Sequence, residues 1–423
     1  MQDTIYALAS GRPPAAIAIV RISGPNAHEA AAIVGGKLPP ARKASLRALT
    51  DPSTGDVIDE ALVLRFDAPA SATGENIIEF HCHGGRAVVD ALLRALERLK
   101  GFRLAEPGEF TRRALANGRI DLTEAEGLAD LLSAETELQR RSAVARAGGA
   151  LRAKLDAWRE RILVLSARAE VAIDYADEDD GDAADDLGPG LGQLASEMAG
   201  LLAAPRVEPL RDGIRVVVAG PPNAGKSSLI NALTQSERAI VTAFPGTTRD
   251  VIEVPVAISG IPFVLVDTAG LRESTDEVES IGVGRAQEEA GRADILLWLG
   301  KPEDRPDHRS ALQLRAKADL REGPQFGLPV SALTGEGMSV LLTRLVEEAS
   351  ALLPKGDELA LDRRQHDLLE FAGQALVRGS DLCDPVLIAE ELRIARSFLD
   401  RISGMAGVED LLDALFGRFC LGK

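Results

Sequence analysis

The residues Gly220-Pro-Pro-Asn-Ala-Gly-Lys-Ser227 follow the spacing G-x-x-x-x-G-K-[ST], the pattern of a loop that cradles nucleoside triphosphate. The chemistry dictates the residue types. Successive backbone N–H groups must point at phosphate oxygens, so Gly220 and Gly225 stand where a side chain would block the approach. Lys226 supplies positive charge to the β/γ-phosphates, and Ser227 supplies a hydroxyl for Mg²⁺ at a helix N-terminus. The elements that must position this loop are present on both sides. The apolar run Ile214–Ala219 predicts a buried parallel strand, and Ser227–Leu233 predicts a helix.

Downstream motifs appear in the order a GTPase needs. Gly246-Thr-Thr-Arg-Asp250 offers Thr248 as a second Mg²⁺ ligand. A strand over Ile261–Val266 leads into Asp267-Thr-Ala-Gly270, where Asp267 can hold the Mg²⁺ shell through water and the Gly270 N–H can meet the γ-phosphate. A strand over Ile295–Leu299 follows, and the polar stretch between Gly300 and Arg315 carries no clear element. Lys317-Ala-Asp319 can read guanine, with the Asp319 carboxylate accepting from the base N1–H and N2–H₂. Ser331-Ala-Leu333 offers backbone N–H to the guanine O6. Two positions depart from expectation. Ala316 stands where a guanine reader usually has Asn, which removes a hydrogen bond or two, roughly 1–3 kcal/mol. Leu271 stands where small Ras-like proteins place a water-orienting Gln, so another group must orient the water; the acids of Leu271–Ile281 are candidates by position, although each is more often a solvated loop charge.

The rest of the chain must carry this unit. Its 423 residues allow two to four domains, with 45% hydrophobic residues, a net charge of −17 and three cysteines, Cys82, Cys383 and Cys420. Sparse, odd cysteines suit a reducing cytoplasm. The acidic balance argues against a general nucleic-acid coat. No apolar run is long enough to span a membrane, and the first twenty residues lack a basic n-region. Residues 1–117 read as an α/β unit with strands at Ala15–Ile22, Val57–Phe66 and Asn76–His81 and a helix at Ala87–Leu99. Arg21 and Glu79 fall in or beside apolar strands; a solvent-facing edge is the commoner setting for such charges, a buried pair the other. His81-Cys82-His83 reads as structural, because no second His/Cys cluster completes a metal site. From Asn117 the periodicity is helical. Thr123-Glu-Ala-Glu126 predicts a capping box, and helices are expected over Leu151–Ile173, Gly190–Leu202, Leu359–Val377, Val386–Ile402 and Val408–Phe416. The acidic run Asp174–Asp182 reads as solvated loop. The expected architecture is multidomain α/β plus α: an N-terminal α/β domain (1–117), a helical domain in two parts (118–210 and 353–423), and a P-loop, Ras-like GTPase domain (211–352) inserted between them.

The GTPase order together with Phe419-Cys-Leu-Gly-Lys423 resembles the tRNA modification GTPase MnmE (TrmE) family over essentially the whole chain. Ile19-Val-Arg-Ile-Ser-Gly24, Gly74-Glu-Asn-Ile-Ile-Glu-Phe-His-Cys-His-Gly-Gly85, Pro107-Gly-Glu-Phe-Thr-Arg112 and Asn117-Gly-Arg-Ile-Asp-Leu-Thr-Glu-Ala-Glu126 carry it too. The resemblance implies a homodimer that binds a 5-formyl- or methylene-tetrahydrofolate through its N-terminal domain. With the FAD-containing partner MnmG, in a heterotetramer-type complex, the family installs an aminomethyl-type group (5-carboxymethylaminomethyl) at C5 of the wobble uridine of certain tRNAs. Folate contacts would fall on Arg21, Glu79, Arg119 and Lys423, cations for carboxylates and a carboxylate for the pterin N–H edge. GTP contacts would comprise Asn223, Ala224, Gly225, Lys226, Ser227, Ser228, Thr242, Thr247, Thr248, Asp267, Thr268, Ala269, Gly270, Lys317, Asp319, Ser331, Ala332 and Leu333. Mg²⁺ would sit on Ser227 and Thr248, and K⁺ on Asn223, Thr242, Phe244 and Thr247, where it does the work of an arginine finger. Glu279 matches the family's water-orienting acid and would act in catalysis with Lys226; Cys420 is either a catalytic or regulatory thiol or a partly buried one. A rival reading is a GTP-dependent binding switch in ribosome assembly, with no covalent tRNA modification. Such switches carry a basic RNA-binding appendage, which residues 357–423 do not resemble.

Overall fold

The computed structural model describes residues 3–174, 187–236, 239–241, 252–267, 288–289, 291–320, 326–355, 358–406, 412, 415–417, 419 and 422. They form two compact units: Met1–Ala129 with Arg152–Asp156 and Asp400–Lys423, and Asp130–Leu151 with Ala157–Leu399.

The first unit holds β1 (Thr4–Leu8), β2 (Ile17–Ser23), α1 (Ala27–Gly35), β3 (Ser45–Thr50), β4 (Val57–Phe66), β5 (Ile77–His83), α2 (Arg86–Glu97), β6 (Phe102–Leu104) and α3 (Glu109–Ala116). The strands form one sheet in the order β3-β4-β5-β2-β1-β6, antiparallel except for β1 with β6. Alternation sets the faces. Ala18, Val20 and Ile22 of β2 and Ile78, Phe80 and Cys82 of β5 join residues of α1 and α2 in one core. Each fully buried large apolar side chain there contributes about 1.5–3 kcal/mol. The intervening residues, Arg21, Glu79, His81 and His83, turn to the other face. Here the edge expectation for Arg21 and Glu79 is corrected. Both strands are interior, and the two residues are direct cross-strand partners. A charge between two paired strands survives by pairing, not by reaching an edge.

The capping expectation also shifts. In α4 (Leu122–Ser133) Thr123 lies inside the first turn, 1% exposed. The box is made instead by Asp121, whose Oδ1 accepts from Glu124 N at 2.9 Å while Glu124 Oε2 accepts from Asp121 N at 2.8 Å. A small apolar cluster joins Leu122 and Ala125 to Leu415, Phe416 and Phe419. The expected helix Val408–Phe416 falls largely outside the described residues.

The remaining elements are α5 (Glu137–Ala147), α6 (Ala150–Asp174), α7 (Gly188–Leu202), α8 (Glu208–Arg211), β7 (Ile214–Ala219), α9 (Lys226–Thr234), β8 (Ala239–Val241), β9 (Ile252–Ile258), β10 (Ile261–Asp267), β11 (Ile295–Trp298), β12 (Ala311–Arg315), β13 (Leu328–Pro329), α10 (Met338–Leu352), α11 (Arg363–Ser380) and α12 (Pro385–Ser403). The second sheet runs β13-β12-β11-β7-β10-β9-β8, parallel from β13 to β10 and antiparallel from β10 to β8. β12 resolves the stretch that the sequence left unassigned. Strand β7 is central and buried on both faces over residues 216–219, which is why it reads as an apolar run interrupted only by Arg215 near its start. Its C-terminal end delivers the phosphate loop where a doubly wound sheet binds ligands.

Candidate functional site

The loop between β7 and α9 has the conformation its residues foreshadow. Gly220 has φ 150° and Gly225 φ 96°, the latter capping α9 with left-handed backbone. An L side chain is strained in such a conformation. Asn223 also takes positive φ, 59°. Lys226 Nζ donates to the carbonyls of Gly220 at 3.1 Å and Pro221 at 3.0 Å, so the ammonium lies across the loop's own rim. Ser227 and Ser228 are exposed in the first turn of α9, where the helix dipole favours anions. Asp267 ends β10 beside Val218 of β7 and is 4% exposed.

The residues expected to read the base are held by side chains. Ser331 is fully buried, and its hydroxyl donates to Asp319 Oδ1 at 2.5 Å while accepting from Thr334 N at 3.2 Å. Its own backbone is fixed on both sides, by Glu336 O at 2.9 Å and Gly335 N at 3.0 Å. Asp319 is thereby aimed by a residue read from sequence only as a donor of backbone N–H. Lys317, at φ 55°, donates from Nζ to Asn223 O at 2.8 Å. That bond ties the base loop to the phosphate loop. The Ala316 methyl is partly buried against the sheet core and carries no polar atom for the same task. Ala332 and Leu333 are exposed, Leu333 at 86%.

A second polar cluster lies on the face of the first unit's sheet opposite α1 and α2. Arg21 Nη2 lies 2.8 Å from Glu79 Oε1, and Arg21 Nε donates to the same oxygen at 2.9 Å. His81 Nε2 is 3.1 Å from Glu79 Oε2. The Arg21 guanidinium carbon sits 5.8 Å from the centre of the Phe110 ring, a cation–π arrangement. Phe110 was legible as part of a motif but not as a partner of Arg21. Arg119 Nε donates to Ser71 O at 3.1 Å, within this unit but on different partners. Gly422 backs onto β1 with φ 92°, and a Cβ there would stand 2.1 Å from Leu8 O, so no other residue fits. His81, Cys82 and His83 do not converge. Cys82 is buried on the core face, where burial pushes its thiol up, and His83 Nδ1 pairs with Asp59 at 2.8 Å. Arg113, missed in the sequence, is fully buried among Asp3, Glu75 and Glu109. Burial opposes its charge, but the hydrogen bonds to Glu75 and Glu109 outweigh that and hold its pKa above the ordinary value. Among the described residues no helix is long and apolar enough to cross a membrane.

Two family models divide this chain between them. The GTP-binding protein TrmE N-terminus matches residues 4–119, and the MnmE helical domain matches residues 122–420. The tRNA modification GTPase MnmE of Erythrobacter litoralis is 53% identical over the full length of both chains. That of Rhizorhabdus wittichii is 52% identical over 100% of this chain and 97% of its own. The G domain of the T. maritima FeoB iron transporter is 22% identical, covering 32% of this chain and 98% of that one, at a TM-score of 0.24.

The chain belongs to the tRNA modification GTPase MnmE family.

Like the MnmE GTPases it resembles, it is a GTP hydrolase. Of the residues expected to serve an MnmE-type site, Arg21, Glu79, Arg119, Asn223 through Ser228, Asp267, Lys317, Asp319 and Ser331 through Leu333 are placed by the structure. Thr242, Phe244, Thr247, Thr248, Thr268, Ala269, Gly270, Glu279, Cys420 and Lys423 lie outside the described residues.

Proposed function

We propose that this chain is a potassium-dependent GTPase that works with an MnmG-type, FAD-containing partner. Together they form the 5-carboxymethylaminomethyl group at the wobble uridine of certain tRNAs, with a folate one-carbon donor. The division into residues 1–117, 118–210, 211–352 and 353–423 and a homodimer of the N-terminal domain belong to this reading. The observation that carries it is the coexistence, in one chain, of two separately built sites. One is the phosphate loop with the Ser331-held Asp319; the other is the paired Arg21 and Glu79 beside Phe110.

The donor chemistry fits the ions. Ser227 at the head of α9 and Asp267 at the end of β10 are hard oxygen donors of the kind Mg²⁺ selects, with Thr248 to complete the set. Asn223 offers an amide oxygen on an exposed, positive-φ turn of the same loop, which suits a larger, less demanding cation such as K⁺. Bound there, the cations would offset negative charge that develops on the phosphates. The protein's own groups do the rest. Lys226 supplies a fixed charge, the loop N–H groups grip the phosphate oxygens, and Asp319 selects guanine. Glu279 is assigned to orient water, a task Leu271 cannot perform. At the second site, the Arg21 cation suits glutamate carboxylates of a folate and Glu79 suits the pterin N–H edge, while the buried Phe110 ring backs the Arg21 guanidinium. The net charge of −17 supports a division of labour in which the partner supplies much of the tRNA contact.

The test is nucleoside analysis of tRNA from a deletion strain carrying either the wild-type chain or Lys226→Ala. The wobble modification should be absent in the deletion, restored by the wild type and not by the variant. Unchanged tRNA modification in the deletion, with defective ribosomal subunits, would contradict the reading.

A further inference from the structure

Gln139 uses both ends of one amide. Its Oε1 accepts the backbone N–H groups of Glu135 and Thr136, each at 2.9 Å, and so closes the capping box that starts α5. Its Nε2 donates to the carbonyl of Arg211 at 3.2 Å, a contact across 72 residues of sequence. Arg211 is the last residue of α8, and only Asp212 and Gly213 separate it from β7, the strand that delivers the phosphate loop. α8 in turn touches β7 and β10. The α5 cap also faces the β9–β10 hairpin: Thr136, Gly213, Ala257, Pro262 and Val264 line one narrow cleft with Gln139. That hairpin ends in Asp267.

The other end of α5 is anchored elsewhere. Arg146, 3% exposed, pairs with Asp130 in the last turn of α4 and stands 3.7 Å from Asp362, the residue that caps α11. Burial raises the Asp130 pKa above its usual value despite this cation. A helix of 11 residues is about 16 Å long, a stiff strut. One end of this strut rests on the elements that carry the nucleotide motifs, and the other on the α4–α11 junction. An apolar residue at position 139 would fill the same space, yet a buried amide sits there with its donor committed to the linker carbonyl. Buried polar contacts of this kind specify one arrangement of the elements they join.

We propose that Gln139 is a positioning residue. Through its bond to the Arg211 carbonyl, α5 reports the nucleotide state of β7 and the β9–β10 hairpin to the α4–α11 junction. The inference rests on the proposed reading that the chain is a GTPase whose phosphate loop follows β7, and it names a contact through which that loop's state would pass to the helices.

The test is hydrogen–deuterium exchange of the full-length chain in potassium buffer, with and without GDP and aluminium fluoride. In the wild type, nucleotide should slow exchange both at 220–230 and at 360–368. Gln139→Glu keeps an acceptor for the cap but removes the donor; Gln139→Asn is uncharged and too short to reach Arg211. In both variants protection at 220–230 should persist, with GDP affinity within about twofold. The nucleotide-dependent change at 360–368 should fall about fivefold, the scale of one neutral hydrogen bond. A residue that merely supports the fold would lower both responses together. Either variant keeping the full response at 360–368, both variants failing to fold, or a wild type protected at 220–230 and unresponsive at 360–368 would overturn the inference. A wild type without protection at 220–230 would overturn the nucleotide reading itself, and the inference with it.

Discussion

The two ends of the nucleotide site are made of different material. At the proposed phosphate end the site is a backbone conformation, and few residues other than those present permit it: Gly220 and Gly225 at positive φ, with Lys226 and Ser227 following in the helix. At the proposed base end the site is made of side chains held by other groups of the chain. Ser331 aims Asp319, and Lys317 reaches 2.8 Å to the Asn223 carbonyl. A backbone site has almost no latitude in sequence. A side-chain site can lose one member and keep its geometry through another. With Ala316 in place, Lys317 still ties the base loop to the phosphate loop.

Substitutions can break this contrast or sharpen it. Lys226→Ala should cost the most, lowering kcat for GTP by about 10²–10³, as loss of one preorganised charge-stabilising group does; steady-state phosphate release measures it. Asp319→Ala should weaken GTP binding by about 10- to 100-fold while leaving inosine and adenine nucleotides less affected, because a charged acceptor is lost. Competition with a fluorescent GDP gives the ratio. Ser331→Ala should cost about fivefold in guanine affinity, one hydrogen bond, and should leave the kcat of bound GTP unchanged. Ala316→Asn should have the smallest effect and the opposite sign, tightening GTP binding a few-fold by restoring a polar tie between the loops. A large loss from Ala316→Asn would show that the methyl is required by the packing around it.

Local patterns were legible in the sequence, and partners were not. The strands Val57–Phe66 and Ile214–Ala219 occur with the expected bounds, because their enrichment in apolar and β-branched residues is a property of the segment itself. The short strands β3 and β6 were missed; three to six residues with exposed positions carry little pattern. Two overlapping capping boxes can be written at Asp121-Leu-Thr-Glu124 and Thr123-Glu-Ala-Glu126, and packing of Thr123 into the first turn selects the former. Arg21 and Glu79 are separated by 58 residues, so their pairing depends on strand order, which no local pattern encodes. The same holds for Arg113 among its three carboxylates and for Gln139 on Arg211. Position 316 is the converse case: its departure from the usual motif is plain in the sequence, while the Lys317 contact to the phosphate loop is visible only in the structure.

The most direct test of the account is the initial rate of GTP hydrolysis by the purified chain in potassium and in sodium buffer at equal ionic strength. The account predicts hydrolysis in potassium that clearly exceeds the rate in sodium, with Ala316 tolerated. Equal rates in the two salts would contradict the potassium-dependent site built around Asn223, and absence of hydrolysis in both would contradict the claim that Lys317, Asp319 and Ser331 keep the base end working.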